Sequence, residues 1–298
     1  MNNVKSVFSI KDLENLSGIK AHTIRIWEKR YNVLQPMRTE TNIRSYSVAS
    51  LQKLLNITLL HNYGYKISKI STFSEDKIID LVKDIISGKN AKNHAVSAFK
   101  MAMMKFDQQL FSVTYDWLIT EKTFKEVFYQ IFIPLLEELG LLWQTNTITP
   151  AHEHFISCLI TRKIIANTEK IEKSKPEKAD KVFVLSLPLN EIHEMGLLFL
   201  QYEILSRGYK VIYLGESMPI ENLKDLKKHF NSIIYISYLT IHPEGNVVNE
   251  YVEVMSRELL GDNAQIWLIG RMVEFLNQEL FSTDVKFFDS IPDLVEKI

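Results

Sequence analysis

The chain has 298 residues, of which 46% are hydrophobic and 24% charged, and its net charge is −1. This length exceeds that of one typical domain, and the composition is ordinary for a soluble globular chain. No apolar run reaches the length of a membrane span and no signal peptide opens the chain, so we expect a cytoplasmic protein without a membrane partner. The single cysteine, Cys158, excludes an internal disulfide, and its apolar helical surroundings predict a buried thiol.

The amino-terminal segment has the pattern of a helix-turn-helix. Ser9, followed three residues later by Asp12, predicts the N-cap of a first helix that ends at Ser17-Gly18. A second helix is predicted from Ala21 to Tyr31, where a helix-turn-helix has its recognition helix. The residues at core spacing in this helix are Ile24, Trp27 and Tyr31. Their burial would leave the opposite face of the helix for DNA.

A wing is predicted next, from Leu34 to Ser47, and then a helix from Val48 to Asn62. Over residues 1 to 74, eleven Lys and Arg oppose four Asp and Glu, a net charge of +7 that leaves −8 on the rest of the chain. This asymmetry on a helix-turn-helix and wing predicts binding to double-stranded promoter DNA. The predicted DNA contacts are His22, Thr23, Arg25 and Lys29 on the second helix and Arg38, Arg44 and Tyr46 in the wing.

The order of these elements resembles the DNA-binding domain of MerR-type transcriptional regulators over its full length. The run from Thr23 to Tyr31, Thr-Ile-Arg-Ile-Trp-Glu-Lys-Arg-Tyr, is similar to the branch of that family that carries cobalamin domains. In that branch Ile-Trp replaces the Tyr-Tyr of metal-sensing members. The resemblance implies a regulator that forms a homo-oligomer, a dimer or a tetramer.

Two polar stretches, residues 87–93 and 172–180, mark joints in the chain. They predict a winged helix-turn-helix domain over 1–75, a helical linker and four-helix bundle over 76–172, and an α/β domain over 180–298. The predicted bundle core consists of Met101, Met103, Met104, Phe106, Phe111, Trp117, Phe124, Phe128, Phe132 and Leu135. Such a set of methionines and aromatics is more often plain core than a cofactor site.

Strands and helices alternate in the last part of the chain at the spacing of βαβ units, which predicts a parallel sheet with helices packed on it. The predicted strands are residues 182–186, 211–214, 233–237 and 266–270, and the predicted helices are residues 196–206, 220–230 and 247–260. Polar residues follow the first strand, at the edge where open α/β sheets bind ligands.

Glu191, His193 and Gly196 form the most informative motif at this edge. Their spacing can offer one neutral imidazole to a metal held by a large flat ligand. The carboxylate would fix the other ring N–H, and the glycine would let a macrocycle approach the backbone. Alone the motif is weak, because a single loop histidine is usually only solvated.

Together with its neighbours, the motif resembles the signature of the cobalamin-binding domain family, whose fold is a flavodoxin-like, doubly wound parallel sheet. That signature is acidic-x-His-x-x-Gly, a Ser-x-Leu or Ser-x-Thr some forty residues on, and then Gly-Gly. Here forty residues separate Gly196 from Ser237-Tyr-Leu239, and Ile269-Gly270-Arg271 stands in place of Gly-Gly, so that one glycine is replaced.

The resemblance assigns roles to these residues. His193 would be the lower axial ligand of cobalt, with Glu191 as its hydrogen-bond partner. Ser237 would be a hydroxyl near the displaced dimethylbenzimidazole tail. The implied cofactor-binding residues of this domain are Glu191, His193, Gly196, Ser237, Leu239 and Gly270.

A second motif lies upstream: Trp143, nine intervening residues, and then Glu153-His154, with Pro150 opening a helix. A core tryptophan and a helix-capping carboxylate would also explain it. Beside the first motif, it resembles the element of the four-helix bundle that caps cobalamin in the CarH/LitR photoreceptor group of MerR-type regulators. There the tryptophan packs over the adenosyl group and the Glu-His pair hydrogen-bonds it. Light-sensing members have a histidine directly after the tryptophan, whereas this chain has Gln144.

The resemblances imply a transcriptional repressor controlled by adenosylcobalamin. His193 would lie below the ligand, and Trp143, Glu153 and His154 would lie above it. Light would release the repressor from DNA. Two alternatives stay open. One is a MerR-type regulator whose last domain has lost cobalamin and answers to a protein antirepressor. The other is an enzyme module, a corrinoid-carrying methyltransferase, against which the helix-turn-helix argues. Because no motif for nucleophilic catalysis occurs, we expect no enzyme.

Overall fold

The structure is a computed structural model, and the part of the chain that it describes has several gaps. The described residues are 7–38, 43–86, 91–145, 147–172, 176–245, 247–261 and 263–298. Parts of the predicted wing and of both predicted joints lie outside them. The chain divides into two compact units, residues 1–160 and 161–298. The three predicted domain boundaries stay a prediction. Within the described ranges, no helix is long and apolar enough to cross a membrane.

The first unit begins with a helix-turn-helix and a small antiparallel sheet. Its elements are β1 (Val7–Phe8), α1 (Ile10–Ser17), α2 (Ala21–Tyr31), β2 (Met37–Arg38), β3 (Arg44–Ser47) and α3 (Val48–Asn62), with β3 between β1 and β2. Ser9 caps α1 as predicted: its hydroxyl accepts from the Asp12 N–H at 3.1 Å, and the Asp12 carboxylate accepts from the Ser9 N–H at 2.8 Å. Gly18 ends α1 with φ at 76°, a left-handed conformation that glycine adopts without strain.

Further helices complete this unit, and the last of them extends past residue 160. They are α4 (Ile67–Ile70), α5 (Glu75–Ile86), α6 (Ala91–Lys105), α7 (Gln108–Glu121), α8 (Phe124–Val127), a π-helical segment (Phe128–Phe132), α9 (Ile133–Gln144) and α10 (Pro150–Glu172). Eight of the ten predicted core residues of the bundle are buried, and Phe106 and Trp117 are half-buried. Cys158 is exposed, so its predicted burial is wrong. The buried side of α10 carries Ile156 and Ile160, at helical spacing, and position 158 falls between them on the outer face.

The second unit is a five-stranded parallel sheet with helices. Its elements are β4 (Lys178–Ser186), α11 (Met195–Leu205), β5 (Tyr209–Gly215), α12 (Ile220–Leu223), β6 (Ile233–Tyr238), α13 (Val248–Leu259), β7 (Ala264–Ile269), β8 (Val285–Phe288) and α14 (Ile291–Val295). The strand order is β5-β4-β6-β7-β8, and every neighbouring pair is parallel. This is the flavodoxin-like, doubly wound order, so the predicted fold class is confirmed. The order reverses at β4, and ligands of such sheets bind at the carboxyl ends of the strands beside that point.

Two predicted details of this sheet differ in the structure. The helix predicted over 220–230 is a single α-helical turn, α12, followed by a 3-10 segment, Lys224–Lys228. In that segment Lys227 donates to the carbonyls of Glu258 and Leu260 at 3.2 and 3.1 Å, which fixes it against the end of α13. The edge strand β8 was not predicted, because a four-residue strand gives almost no periodic signal.

Glu28 locks the wing onto the recognition helix α2. Its carboxylate, almost buried, accepts a hydrogen bond from the Tyr46 hydroxyl at 2.5 Å and from the Arg44 Nε–H at 3.2 Å. Tyr46 is fully buried, so its predicted DNA contact is wrong: the ring faces inward from β3, the central strand, where the Glu28 carboxylate takes its hydroxyl. Burial, together with the hydrogen bond to Glu28, raises the pKa of Tyr46 well above its usual range.

We expect Tyr46→Phe to lower the free energy of unfolding by about 1–3 kcal/mol, because the buried Glu28 carboxylate then loses a hydrogen-bond donor. Tyr63→Phe is the matched control, since the Tyr63 side chain is exposed. Denaturant unfolding measures both variants. A Tyr46→Phe protein as stable as the wild type but weaker in binding DNA would show instead that Tyr46 contacts the duplex.

Candidate functional site

The outer face of α2 presents the side chains that the sequence predicts for DNA. His22, Arg25 and Lys29 are exposed and Thr23 is half-buried. The opposite face packs inward: Ile24 and Trp27 are buried, and Trp27 lies against the His61 ring with centroids 5.4 Å apart. The helical repeat therefore separates a core face from a polar, basic face.

The two predicted wing arginines differ in their surroundings. Arg38 is exposed on the edge strand β2, directly opposite Arg44 in the register of the pair. Arg44 is half-buried and held by Glu28. The ion pair orients Arg44 and offsets part of its charge.

In the second unit, Glu191 organises the loop that joins β4 to α11. The carboxylate is fully buried. One oxygen, Oε1, accepts the N–H groups of Ile192 and His193 at 3.0 Å and the Nδ1–H of His193 at 2.5 Å. The other, Oε2, accepts the N–H groups of Ile241 and His242 at 2.7 and 2.9 Å. These last two residues follow β6, so one side chain joins the loops beyond two neighbouring strands.

The pKa of Glu191 follows from these contacts. Burial alone would raise the pKa of this carboxyl, but the backbone donors of His242 and Ile241 and the imidazole of His193 outweigh burial and lower the pKa to about 2. The carboxylate is therefore ionised at neutral pH. In the neutral imidazole, an ionised acceptor places the proton of His193 on Nδ1, and the lone pair of Nε2 is then directed away from Glu191.

His193 is accessible in an apolar neighbourhood. Its side chain is 47% exposed. Three large apolar side chains of the same two loops are also exposed, Leu189 at 54%, Ile192 at 61% and Ile241 at 49%. An imidazole nitrogen among exposed apolar side chains suits a flat, partly apolar ligand that carries its own metal.

Glycines bring the backbone of this edge close together. A Cβ on Gly270 would lie 2.5 Å from the carbonyl oxygen of Leu239, and the φ of Gly270 is +112°. No other residue fits there without moving backbone. A Cβ on Gly196 would lie 2.5 Å from a ring carbon of Tyr238. Both predicted glycines are thus required by close packing, one against backbone and the other against an aromatic ring.

The remaining predicted residues of this edge are buried. Ser237 is only 1% exposed and Leu239 is fully buried. The Ser237 hydroxyl lies near the Tyr251 phenol, where burial raises the pKa of Tyr251 and the hydroxyl opposes that rise. No sequence pattern indicates the Ile241 and His242 N–H donors, although the strand order of a flavodoxin-like sheet could have placed them near Glu191.

The upstream motif lies at the turn between α9 and α10 in the first unit. Trp143 is 57% exposed near the end of α9. Glu153 and His154 lie in the first turn of α10, which Pro150 opens as predicted. Glu153 accepts from the Ser157 hydroxyl at 2.8 Å and lies 3.7 Å from the exposed His154 ring. The side chain of Gln144 lies outside the described part.

His152, between Pro150 and Glu153, is fully buried. Its Nδ1 lies 2.8 Å from the Thr149 hydroxyl, and its ring stacks on Phe106 with centroids 4.7 Å apart. Of the two histidines of this turn, only His154 is therefore presented to a ligand.

Polar contacts join this turn and the bundle to α1 of the helix-turn-helix. Asn15 donates to the hydroxyl of Thr147, which is buried in the turn, at 2.9 Å. The buried Lys100 of α6 donates to the carbonyl of Leu16 at 3.3 Å and forms an ion pair with Glu138 of α9. A cation at the carboxyl end of α1 also complements the helix dipole.

We expect Glu191 to make this unit sensitive to acid. A carboxyl whose pKa falls from 4.5 to about 2 on folding adds stability that is complete above pH 4.5 and is lost as the pH falls toward 2. The difference in unfolding free energy between the wild type and Glu191→Gln should therefore become smaller by about 3 kcal/mol as the pH falls from 5 to 2. Glu221→Gln, an exposed position on α12, is the control. A constant difference across this range would contradict the lowered pKa.

Two family models match segments of this chain. Residues 8–77 match the family model described as MerR HTH family regulatory protein, and residues 96–166 match that of a B12 binding domain. The second match falls on the helices of the bundle.

Two curated relatives and one solved structure extend the comparison. The chain is 27% identical over 222 residues to the HTH-type transcriptional repressor CarH of Myxococcus xanthus, covering 72% of this chain and 73% of that protein. It is 23% identical over 217 residues to the repressor CarA of the same organism, covering 72% and 70%. Its fold is similar to that of the monomethylamine corrinoid protein of Methanosarcina barkeri, with a TM-score of 0.55 at 11% identity over 67% of this chain and 93% of the other. The chain therefore joins a segment that matches the MerR helix-turn-helix family to one that matches a B12 binding domain, and over 72% of its length it is similar to two repressors.

Proposed function

We propose that this protein is a transcriptional repressor that binds promoter DNA as a homo-oligomer and is controlled by a cobalamin bound at His193. The observation that carries the proposal is the Glu191–His193 pair at the carboxyl edge of the sheet. The similarity to CarH and CarA, both named as repressors, supports the direction of control.

The site fits the ring and metal of a corrinoid. A hydrogen-bond acceptor on Nδ1 orients His193 to offer Nε2 to a metal, and the ionised Glu191 is such an acceptor. Carboxylates in this position typically raise the basicity of the imidazole and fix its orientation. Bound cobalamin would supply a cobalt that accepts imidazole as a ligand and, in its adenosyl form, a cobalt–carbon bond that light can break. The chain itself contributes the orientation of the imidazole and the apolar side chains around it.

Within this proposal, the cobalamin that the protein binds is adenosylcobalamin. This assignment is supported by the exposed ring of Trp143 and by the adjacent Glu153 and His154, which offer an apolar surface and polar groups. These are the groups that a nucleoside needs. A response to light rests on the same ligand, with Gln144 in place of the histidine of the photoreceptors.

Control of DNA binding requires a physical connection from ligand to helix-turn-helix, and the first unit contains one. Thr147 lies between Trp143 and Glu153 in sequence and accepts a hydrogen bond from Asn15 of α1. Any rearrangement of the α9–α10 turn would therefore change the surroundings of α1. Because α1 packs on α2, the recognition helix would respond.

Arg25→Ala should weaken binding to a duplex selected by the wild-type protein from a random-sequence pool by about 1–3 kcal/mol, because Arg25 projects from the exposed face of α2. Arg257→Ala, which removes an exposed arginine of the acidic remainder of the chain, is the control. Fluorescence anisotropy over a range of salt concentrations measures both. Equal losses in the two variants would argue against α2 as the recognition helix.

His193→Ala should abolish stable cobalamin binding, since it removes the proposed metal ligand, and Glu191→Gln should weaken binding by roughly 10–100-fold. His229→Ala, an exposed histidine of the same unit, is the control. The visible spectrum after gel filtration with excess adenosylcobalamin, in the dark and after illumination, is the measurement. A wild-type protein that stays colourless would refute the proposal and favour control by a protein antirepressor.

A further inference from the structure

The space beside Gly196 is filled by the ring of Tyr238. Gly196 is the second residue of α11, and Tyr238 is the last residue of β6. A Cβ built on Gly196 would approach three ring carbons of Tyr238 at 2.5, 2.8 and 3.0 Å. The glycine therefore leaves room at the start of α11, but an aromatic side chain of the same protein occupies that room.

The backbone that carries Tyr238 has little freedom to withdraw. The N–H of Leu239 donates to the carbonyl of Ile269 at 2.7 Å, and the carbonyl of Leu239 accepts from Met272 at 2.9 Å. Gly270 packs directly against that same carbonyl. Of the groups beside Gly196, the Tyr238 ring is thus the one that rotation about side-chain bonds can move.

This filled space adjoins the proposed metal ligand, because Gly196 follows His193 by three residues. The inference rests on the proposed function. Cobalamin carries a nucleotide tail on the lower face of its ring, where the tail's base can itself ligate cobalt. If His193 takes that position, the tail must leave the metal and enter the protein beside the His193 loop, or stay outside in solvent.

We propose that Tyr238 is a specificity-determining residue that closes the space beside Gly196 to the nucleotide tail. The site then accepts the corrin ring on His193 but selects against a corrinoid whose tail must be buried. Blocking a competing ligand with a bulky side chain is a common source of specificity. Burial of the Tyr238 phenol, which raises its pKa, is consistent with a ring packed inside the edge of the sheet.

The test compares two probes that differ only in the tail: aquacobalamin, which has it, and cobinamide, which has the same ring without it. We expect the wild type to bind cobinamide more tightly than aquacobalamin. Tyr238→Ala should raise the affinity for aquacobalamin by at least roughly tenfold and leave that for cobinamide within about threefold. Tyr238→Phe keeps the ring and should behave as the wild type. Titrations followed by visible absorption give all six affinities.

The outcomes separate this inference from the proposed function. Equal affinity of the wild type for the two probes, unchanged in Tyr238→Ala, would overturn the role of Tyr238 and leave the corrinoid site standing. A wild type that binds both probes but cobinamide more tightly, with the affinity for aquacobalamin raised in Tyr238→Ala, supports the inference and leaves the corrinoid site standing. If none of the three proteins binds either probe, the proposed function and the inference both fail.

A measurement without ligand tests the packing itself. Gly196→Ala should lower the melting temperature in the wild-type background, because the new methyl group meets the Tyr238 ring, and should have a smaller effect in a Tyr238→Ala background. An equal loss in both backgrounds would show that the ring does not fill the space.

Discussion

The candidate site depends on one buried negative charge. Glu191 accepts four backbone N–H groups and one imidazole N–H, drawn from the loops that follow β4 and β6. Without this carboxylate, those five N–H donors would need other hydrogen-bond partners. The orientation of His193 is therefore a consequence of how the two loops fold. A ligand that binds the imidazole meets a side chain already held in place, and the protein loses little conformational entropy on binding.

The sequence predicted the parts of this site that are local. The Glu191–His193 hydrogen bond spans two residues, and the caps of α1 and the helical repeat of α2 are set within single turns, so spacing alone could indicate them. The donors from Ile241 and His242 are fifty residues away from Glu191 in sequence. Only the order of the strands brings them there.

Two residues show how tertiary contacts override a local pattern. Tyr46 lies in a polar segment, which favoured a surface role, but the position of β3 between β1 and β2 turns its ring inward to Glu28. Tyr238 stands at the variable position of the Ser-x-Leu motif, which assigns it no role. Its contact with Gly196 links the end of β6 to the start of α11, and a motif read along one strand contains no information on that distance.

The contacts between α1 and the bundle can be weighed against the coupling that a ligand-controlled repressor needs. Allosteric coupling free energies are typically about 1–3 kcal/mol. One hydrogen bond such as that of Asn15 with Thr147 contributes about 1 kcal/mol, the lower end of that range. Lys100 makes the second connection; its ammonium is almost buried, whereas the Glu138 carboxylate is 43% exposed, so solvent screens the ion pair and weakens it. It contacts both Leu16 of α1 and Glu138 of α9, so a shift of α9 that separated this ion pair would also change the surroundings of the end of α1.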